Sequence, residues 1–267
     1  VNKGRAHVDT RLQSGDEVRI PPIRYTEKES EHSAPPLKLS EMPPILFEDQ
    51  NIMVVDKPAG MASHGGSGIS YGLIERMRAS RPELPFLELV HRLDRGTSGV
   101  LVLAKTRKAL VRLHEMIREG EMHKTYQALV KGDWQNDRQH AKFPLFKYVT
   151  PSGERRVRVD PENGLPSHSI FRLKERFGPV SLVEVDLLTG RTHQIRVHAA
   201  ELGFPLVGDE KYGDFAFNDE VAHGLLGVPF KRMFLHSGKI RFHHPITGEE
   251  LEIEAPLPKD CVELIEV

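Results

Sequence analysis

Apolar and polar positions change period along this chain, and the changes mark its elements. Residues 52–55, Ile-Met-Val-Val, read as a strand, and residues 73–81 as a short helix stopped before Pro82. Leu87, Leu89 and Leu93 then fall roughly every second residue, as in a half-buried strand. The unbroken run Val100-Leu101-Val102-Leu103-Ala104 reads as a fully buried one. Thr106 is placed to cap a helix whose apolar face is Ala109, Leu110, Leu113, Met116 and Ile117, and Gly120 ends it. Residues 124–130 return to a strand pattern, and residues 170–188 hold further strands before a turn at Thr189-Gly190. From Thr192 the spacing of Ile195, Ala199 and Leu202 predicts a helix stopped by Gly203, with Arg196 off the apolar face, where a solvated arginine is expected. Residues 133–166 are irregular and basic, with a turn at Ser152-Gly153, and no internal repeat is visible.

The main body is expected over residues 45–267. Ahead of it, Ser14-Gly15-Asp16 reads as a turn and Glu17-Val18-Arg19-Ile20 as a short strand. A piece as short as residues 1–23 cannot bury a core of its own. Residues 24–44 are rich in Glu, Lys, Ser and Pro and read as a flexible linker.

Composition narrows the class. The chain has 267 residues, of which 39% are hydrophobic and 28% charged, enough for a sizeable core in a water-exposed fold. Its longest apolar runs are about five residues, against the roughly 20 needed to cross a bilayer, so no membrane partner is expected. It opens on Val1 rather than Met, consistent with a longer N-terminal segment, and shows no signal-peptide pattern. The single cysteine, Cys261, excludes an internal disulfide and suits a reducing compartment, so a cytoplasmic location is expected. With no cysteine cluster and no HExxH, no metal site is expected; His193 and His198, five apart, are read as separate residues.

Net charge is -1, but charge is unevenly spread. Residues 91–124 carry +4 and residues 138–158 carry +5, whereas residues 247–267 carry -6. Each basic stretch alone reads as a solvated face as readily as a binding surface. Together they flank the loop described next and are expected to form a phosphate-binding rim, with the acidic end away from it.

That loop is His91-Arg92-Leu93-Asp94-Arg95-Gly96-Thr97-Ser98-Gly99, between the two predicted strands. Asp94 stands there between Arg92 and Arg95. A carboxylate near guanidinium groups suits a nucleophile or a charge stabiliser, and suits a general acid poorly. Its bland reading is an ordinary turn aspartate. Elsewhere, Gly66 and Gly68 begin a GxGxxG pattern, but Tyr71 stands where the third glycine belongs and no Walker lysine follows. The loop at 64–68 is therefore read as flexible, and no cofactor is expected.

The string HRLDRGTSG resembles the signature of the RluA-type pseudouridine synthases. HKTYQALVKG, around Tyr126, and GRTHQIRVHA, around Arg196, resemble two further segments of that family, as do residues 205–214, Leu235-His236 and His243-His244-Pro245. Gly96 departs from relatives that often have Asp there, at a variable position. Residues 1–23 resemble the last third of an S4-type RNA-binding domain, with its GDxVxI strand.

The resemblance implies an α+β fold: a mixed, largely antiparallel sheet with flanking helices and a central active-site cleft. It implies isomerisation of uridine in RNA to pseudouridine without metal or cofactor. Asp94 would be the reacting group, Tyr126 the ring against the base, and Arg196 the partner of Asp94. Arg92, Arg95, Lys124, Arg155, Arg156 and Arg158 would meet RNA. HGGSG at 64–68 and SGERRVRV at 152–159 point within the family to 23S rRNA, or its pre-ribosomal large-subunit form, as the partner of a monomeric enzyme. Three rivals remain at this stage. One is a synthase for tRNA or another RNA. Another is a non-catalytic RNA-binding protein, which has no reason to bury an Asp–Arg pair. The last is a two-carboxylate glycoside hydrolase, which needs a second acid facing Asp94.

Overall fold

The two apolar runs at residues 52–55 and 100–104 lie side by side at the heart of a sheet in a computed structural model of the chain, which describes residues 13–17, 34–66 and 71–266. The chain forms two compact units, Val1–Ala34 and Pro35–Val267. In the first, residues 13–17 make a turn in which the Gln13 N–H donates to the Asp16 carboxylate at 2.8 Å. The S4-like strand and the linker up to residue 33 otherwise lie outside the described residues, as does the tip of the glycine loop, residues 67–70.

The second unit begins earlier than its sequence suggests. Residues 35–44 fall at the end of the expected flexible linker, yet they pack on the body. Leu37 is buried, its N–H donates to Ser80 Oγ at 2.7 Å, and Glu41 pairs with Arg76 at 2.6 Å. A proline-rich composition predicts extension, but Leu37, Met42 and Pro43 turn onto the body and the Asp56 N–H donates to the Pro44 carbonyl at 2.9 Å.

Among the described residues the main sheet has ten strands, all paired antiparallel except for one parallel contact. Strand β1 (Ile45–Glu48) lies at one edge, followed by β2 (Ile52–Lys57) and β4 (Ser98–Ala104), with the short β3 (Glu88–Leu89) beside β4. Next come β11 (Leu235–His243), β5 (His123–Lys131), β10 (Val180–Leu187), β9 (Ser169–Arg176) and the edge strand β6 (Arg138–Ala141). Strand β12 (Glu250–Glu254) pairs with the second half of β11. This is the mixed, largely antiparallel α+β architecture expected.

Both faces of the central strands are covered, which is why their sequences do not alternate. Met53, Val55, Leu101, Leu103 and Tyr126 share one core with helix α1 (Leu73–Ser80) and helix α3 (Gln194–Glu201). Ile52, Val54, Val100 and Val102 share another with α2 (Arg107–Glu119). Helix α2 follows its sequence pattern closely. Thr106 Oγ1 accepts the Ala109 N–H at 3.2 Å, and Gly120 ends the helix in the left-handed conformation at φ 76°. Two short helices, α4 (Phe215–Ala222) and α5 (Lys259–Ile265), complete the unit; Val221 and Leu264 join a third core.

Three local expectations are corrected. Residues 133–166 are not merely irregular: they contain β6 and the separate hairpin of β7 (Leu145–Val149) and β8 (Arg155–Val159). These strands are only four or five residues long, too short for a period to stand out. Before the Asp94 loop, burial falls at Leu87, Val90 and Leu93, every third residue rather than every second. The strand ends at Leu89, and the chain leaves the sheet there. The spacing alone places Arg196 in solvent, whereas the family resemblance makes it the partner of Asp94; it is only 7% exposed, because α3 is covered by sheet and hairpin.

Candidate active site

The loop bearing Asp94 leads into β4 at the one parallel contact of the sheet. Ser98 and Gly99 face His236 and Ser237 there. Gly99 has φ 109°, and a Cβ at this position would strike the Ser237 carbonyl, so only glycine lets the two strands meet. Ser237 in turn faces Tyr126 on β5. Gly99, Ser237 and Tyr126 therefore form one row across three strands. That row sets Tyr126 beside the end of the Asp94 loop.

The loop itself is clasped from one side. Ser63 is buried; its hydroxyl donates to the Leu93 carbonyl at 2.8 Å and accepts the Leu93 N–H at 3.0 Å. The Gly60 N–H donates to the Arg95 carbonyl at 2.8 Å, and Arg95 Nε donates to the Gly60 carbonyl at 3.0 Å. Lys57, fully buried, gives hydrogen bonds to the carbonyls of Pro58 and Met61 at 2.9 and 2.7 Å. Burial pulls its ammonium down to about 7, against the opposing pull of the Asp94 carboxylate.

From the other side comes α3. Arg196 Nη1 lies 3.1 Å from Asp94 Oδ2. The same guanidinium grips Asp209 with Nε and Nη2, both at 2.7 Å, in the two-pronged geometry that suits arginine. Burial works against the Arg196 charge, but the two carboxylates outweigh it and strengthen its hold on the proton. Asp209 is fully buried, and burial alone would raise its pKa. The guanidinium and the N–H groups of Lys211 and Tyr212 more than compensate, so it stays below the ordinary carboxylate range.

Gln194 anchors the start of α3. Its amide oxygen accepts from Thr189 Oγ1 and the Arg191 N–H at 2.7 and 3.0 Å, and its nitrogen donates to Ser169 Oγ at 2.8 Å. His193, just before it, has φ 54° and sits 3.9 Å from Asp94 Oδ2 through Nε2.

Tyr126 is buried. That burial raises its phenol pKa, and the Asp94 charge raises it further, so the hydroxyl stays protonated. Lys124, two residues earlier, projects to the same face of β5 and is half-buried; burial lowers its pKa. It is less open to solvent than Arg92 and Arg95. Arg92 and Arg95 are exposed on the Asp94 loop, with Arg92 Nη1 2.9 Å from His64 Nε2.

The hairpin carries the other three arginines. Arg155 is exposed, Arg156 pairs with Glu154 at 2.8 Å, and Arg158 pairs with Asp160 at 3.1 Å. Val157, between them, packs with Val197 of α3, and its N–H donates to Tyr212 Oη at 2.9 Å. The hairpin is thus seated on the helix that holds Arg196.

Lys57, Ser63, His193, Gln194, Asp209 and Tyr212 belong to the site's geometry, although the sequence alone assigns none of them a role. Asp209 and Tyr212 lie in the string GDEKYG, whose charges alone read as a solvated turn. Gly208, just before them, has φ 75°, and a Cβ there would strike the Arg232 carbonyl. No group of three or more metal-ligating side chains occurs among the described residues.

Comparison with known proteins agrees with this geometry. A family model described as RNA pseudouridylate synthase matches residues 51–201. The chain is 49% identical over 271 residues to ribosomal large subunit pseudouridine synthase C of Salmonella typhi, covering 100% of this chain and 83% of that protein. It is 50% identical over 261 residues to the protein of the same name from Escherichia coli strain K12, covering 96% of this chain and 80% of the relative. Among solved structures it resembles human RNA pseudouridylate synthase domain containing 1, with TM-score 0.65 and 28% identity over 81% of this chain and 84% of that one. The motifs, the Asp94–Arg196–Asp209 cluster and these likenesses agree: the chain belongs to the RNA pseudouridylate synthase family.

Proposed function

We propose that this enzyme isomerises uridines of 23S rRNA, as part of large-subunit maturation, with Asp94 as the reacting group. The observation that carries the reading is the Asp94–Arg196 contact at 3.1 Å, in a chain about half identical to relatives named for the large ribosomal subunit.

The chemistry breaks the N1–C1′ bond, turns the uracil, joins C5 to C1′, releases the C5 proton and leaves N1 to take one up, so the product is an isomer of the substrate. The target base leaves its stack to be reached. Attack on C1′ and removal of the C2′ proton are the two entry routes, and both require a carboxylate held at fixed orientation. Arg196 supplies that orientation, and Asp209 holds Arg196. Tyr126 offers its ring to the displaced base and a protonated hydroxyl near C5. Arg92 follows the target's phosphate or fills the gap left by the base. Arg95, Lys124, Arg155, Arg156 and Arg158 meet neighbouring RNA, Lys124 at closer range than the others. Asp209 does not serve as the second acid of a glycoside hydrolase, since Arg196 occupies both its oxygens and it is fully buried. Residues 1–23 are the end of an S4-type RNA-binding domain, and the protein acts in the cytoplasm as a monomer.

The test is tritium release from 23S rRNA carrying C5-labelled uridine, beside tRNA labelled in the same way. It is paired with mapping of pseudouridine in rRNA from a strain lacking the protein. Release from 23S rRNA and loss of defined rRNA sites are expected. Release from tRNA alone would overturn the substrate; release from neither would overturn the activity.

A further inference from the structure

Tyr212 touches four parts of the site at once. Its hydroxyl oxygen accepts the Val157 N–H from β8 at 2.9 Å and lies 2.8 Å from His193 Nδ1. Its ring lies 5.1 Å from the Arg196 guanidinium carbon, and its backbone N–H donates to Asp209 Oδ1 at 3.1 Å. The hydroxyl has a single proton. With Val157 donating to the oxygen, the hydroxyl can give that proton to a His193 Nδ1 that carries none. A neutral His193 then carries its own hydrogen on Nε2, the nitrogen 3.9 Å from Asp94 Oδ2. Hydrogen bonds therefore join the backbone of the arginine-bearing hairpin to His193, and His193 stands 3.9 Å from the Asp94 carboxylate, near enough for its charge state to act on it.

His193 is held for this position. Among the described residues it is the one non-glycine in the left-handed region, at φ 54°. Such strain persists where the surroundings dictate it, and it clusters at working sites.

We propose that Tyr212 and His193 are positioning residues, forming a relay that makes the orientation of Asp94 depend on how the β7–β8 hairpin is seated. The inference rests on Asp94 being the reacting group. RNA phosphate on Arg155, Arg156 and Arg158 would press the hairpin onto Tyr212, so substrate engagement and carboxylate alignment become one event. His193 faces Asp94, Asp209, Arg196, Lys211 and Tyr212. Burial keeps its imidazole neutral; the Asp94 charge opposes this and the two cations reinforce it. The Tyr212 hydroxyl adds to the same effect by occupying Nδ1. Without it Nδ1 is free to take a proton, and an imidazolium would pair with Asp94 and blunt it.

The experiment uses the full chain, as wild type, Tyr212→Phe, His193→Asn and the double variant. Phenylalanine keeps the ring under Arg196, and asparagine tolerates the left-handed conformation. Tritium release is followed from pH 5 to 9, with RNA binding measured separately. Tyr212→Phe should lower kcat about tenfold, the scale of one hydrogen bond removed from a network, with RNA Kd within about twofold. Its acid limb should move to higher pH, and the double variant should be no slower than His193→Asn, because a relay acts as a unit. Wild-type kcat and pH profile in Tyr212→Phe would overturn the relay, as would additive losses. If Tyr212→Phe does not fold, an unchanged kcat and profile in His193→Asn overturns it instead. A nitrogen-15 spectrum of His193 reads the relay without turnover. The Nε2-protonated tautomer is expected and the Nδ1-protonated one overturns it, even if wild type releases no tritium, a result that would count against the proposed function.

Discussion

Arg196 reaches Asp94 with one nitrogen and Asp209 with two. Nη1 lies 3.1 Å from Asp94 Oδ2, while Nε and Nη2 each lie 2.7 Å from an Asp209 oxygen. The two carboxylates differ in access. The Asp94 side chain is 29% exposed and that of Asp209 is 0% exposed. One guanidinium thus joins a carboxylate that substrate can reach to one that it cannot.

Asp94→Asn keeps the shape and removes the charge. Tritium release should vanish under single-turnover conditions, while RNA binding largely survives because phosphate contacts dominate affinity. Loss of stability should be about 1 kcal/mol or less at this part-exposed position. Near-normal release by the folded variant would refute the role of Asp94.

Asp209→Asn should behave differently. It leaves the buried Arg196 charge without its two-pronged partner, at a cost of about 3–5 kcal/mol. Denaturant unfolding should show a much larger loss than in Asp94→Asn, and kcat should fall as Arg196 loses its anchor. Equal stability of the two variants would contradict the structural role given to Asp209.

The hairpin arginines should contribute to the salt dependence of RNA binding. Replacing Arg155, Arg156 and Arg158 by Ala should flatten the log–log slope by about 1–3, near one for each phosphate that is no longer neutralised. Arg155 alone should account for a large part, since Arg156 and Arg158 already have carboxylate partners. A slope identical to wild type would remove these residues from the RNA surface.

Leu37→Ala tests where the catalytic unit begins. Leu37 is 7% exposed and packs in the core shared with α1. A destabilisation of about 2–4 kcal/mol in urea unfolding is expected. A change within about 0.5 kcal/mol, that of a surface site, would return residues 35–44 to the linker.

Stability should weaken in mild acid through His198. Burial lowers its pKa from 6.5 to about 4, and it is fully buried between Ser167 and Ser169. Between those values the unfolded chain binds a proton that the folded chain refuses. Stability is therefore whole above about pH 6.5 and is lost as pH falls towards 4, by up to about 3 kcal/mol from this group. Unfolding midpoints measured across that window should fall less steeply in His198→Gln; an unchanged slope would assign the acid sensitivity elsewhere.

The sequence by itself determined the strands at residues 52–55 and 100–104, the capped helix after Thr106, and the strings around Asp94, Tyr126 and Arg196. These are local properties: a period, a cap or an ordered motif is complete within about ten residues. The hairpin of β7 and β8 was not read from the sequence, because each strand is only five residues long and lies in a basic stretch broken by turns. The docking of Leu37 was hidden by the prolines around it. Tertiary structure alone decided that Arg196 is buried between two carboxylates, that Gly99, Ser237 and Tyr126 share a row, and that Tyr212 joins hairpin to site. Those relations depend on strand register and on what covers each helix face. Both are set by packing between segments that are not neighbours in sequence, 55 residues apart for Val157 and Tyr212 and 102 for Asp94 and Arg196, separations across which no period or spacing carries information.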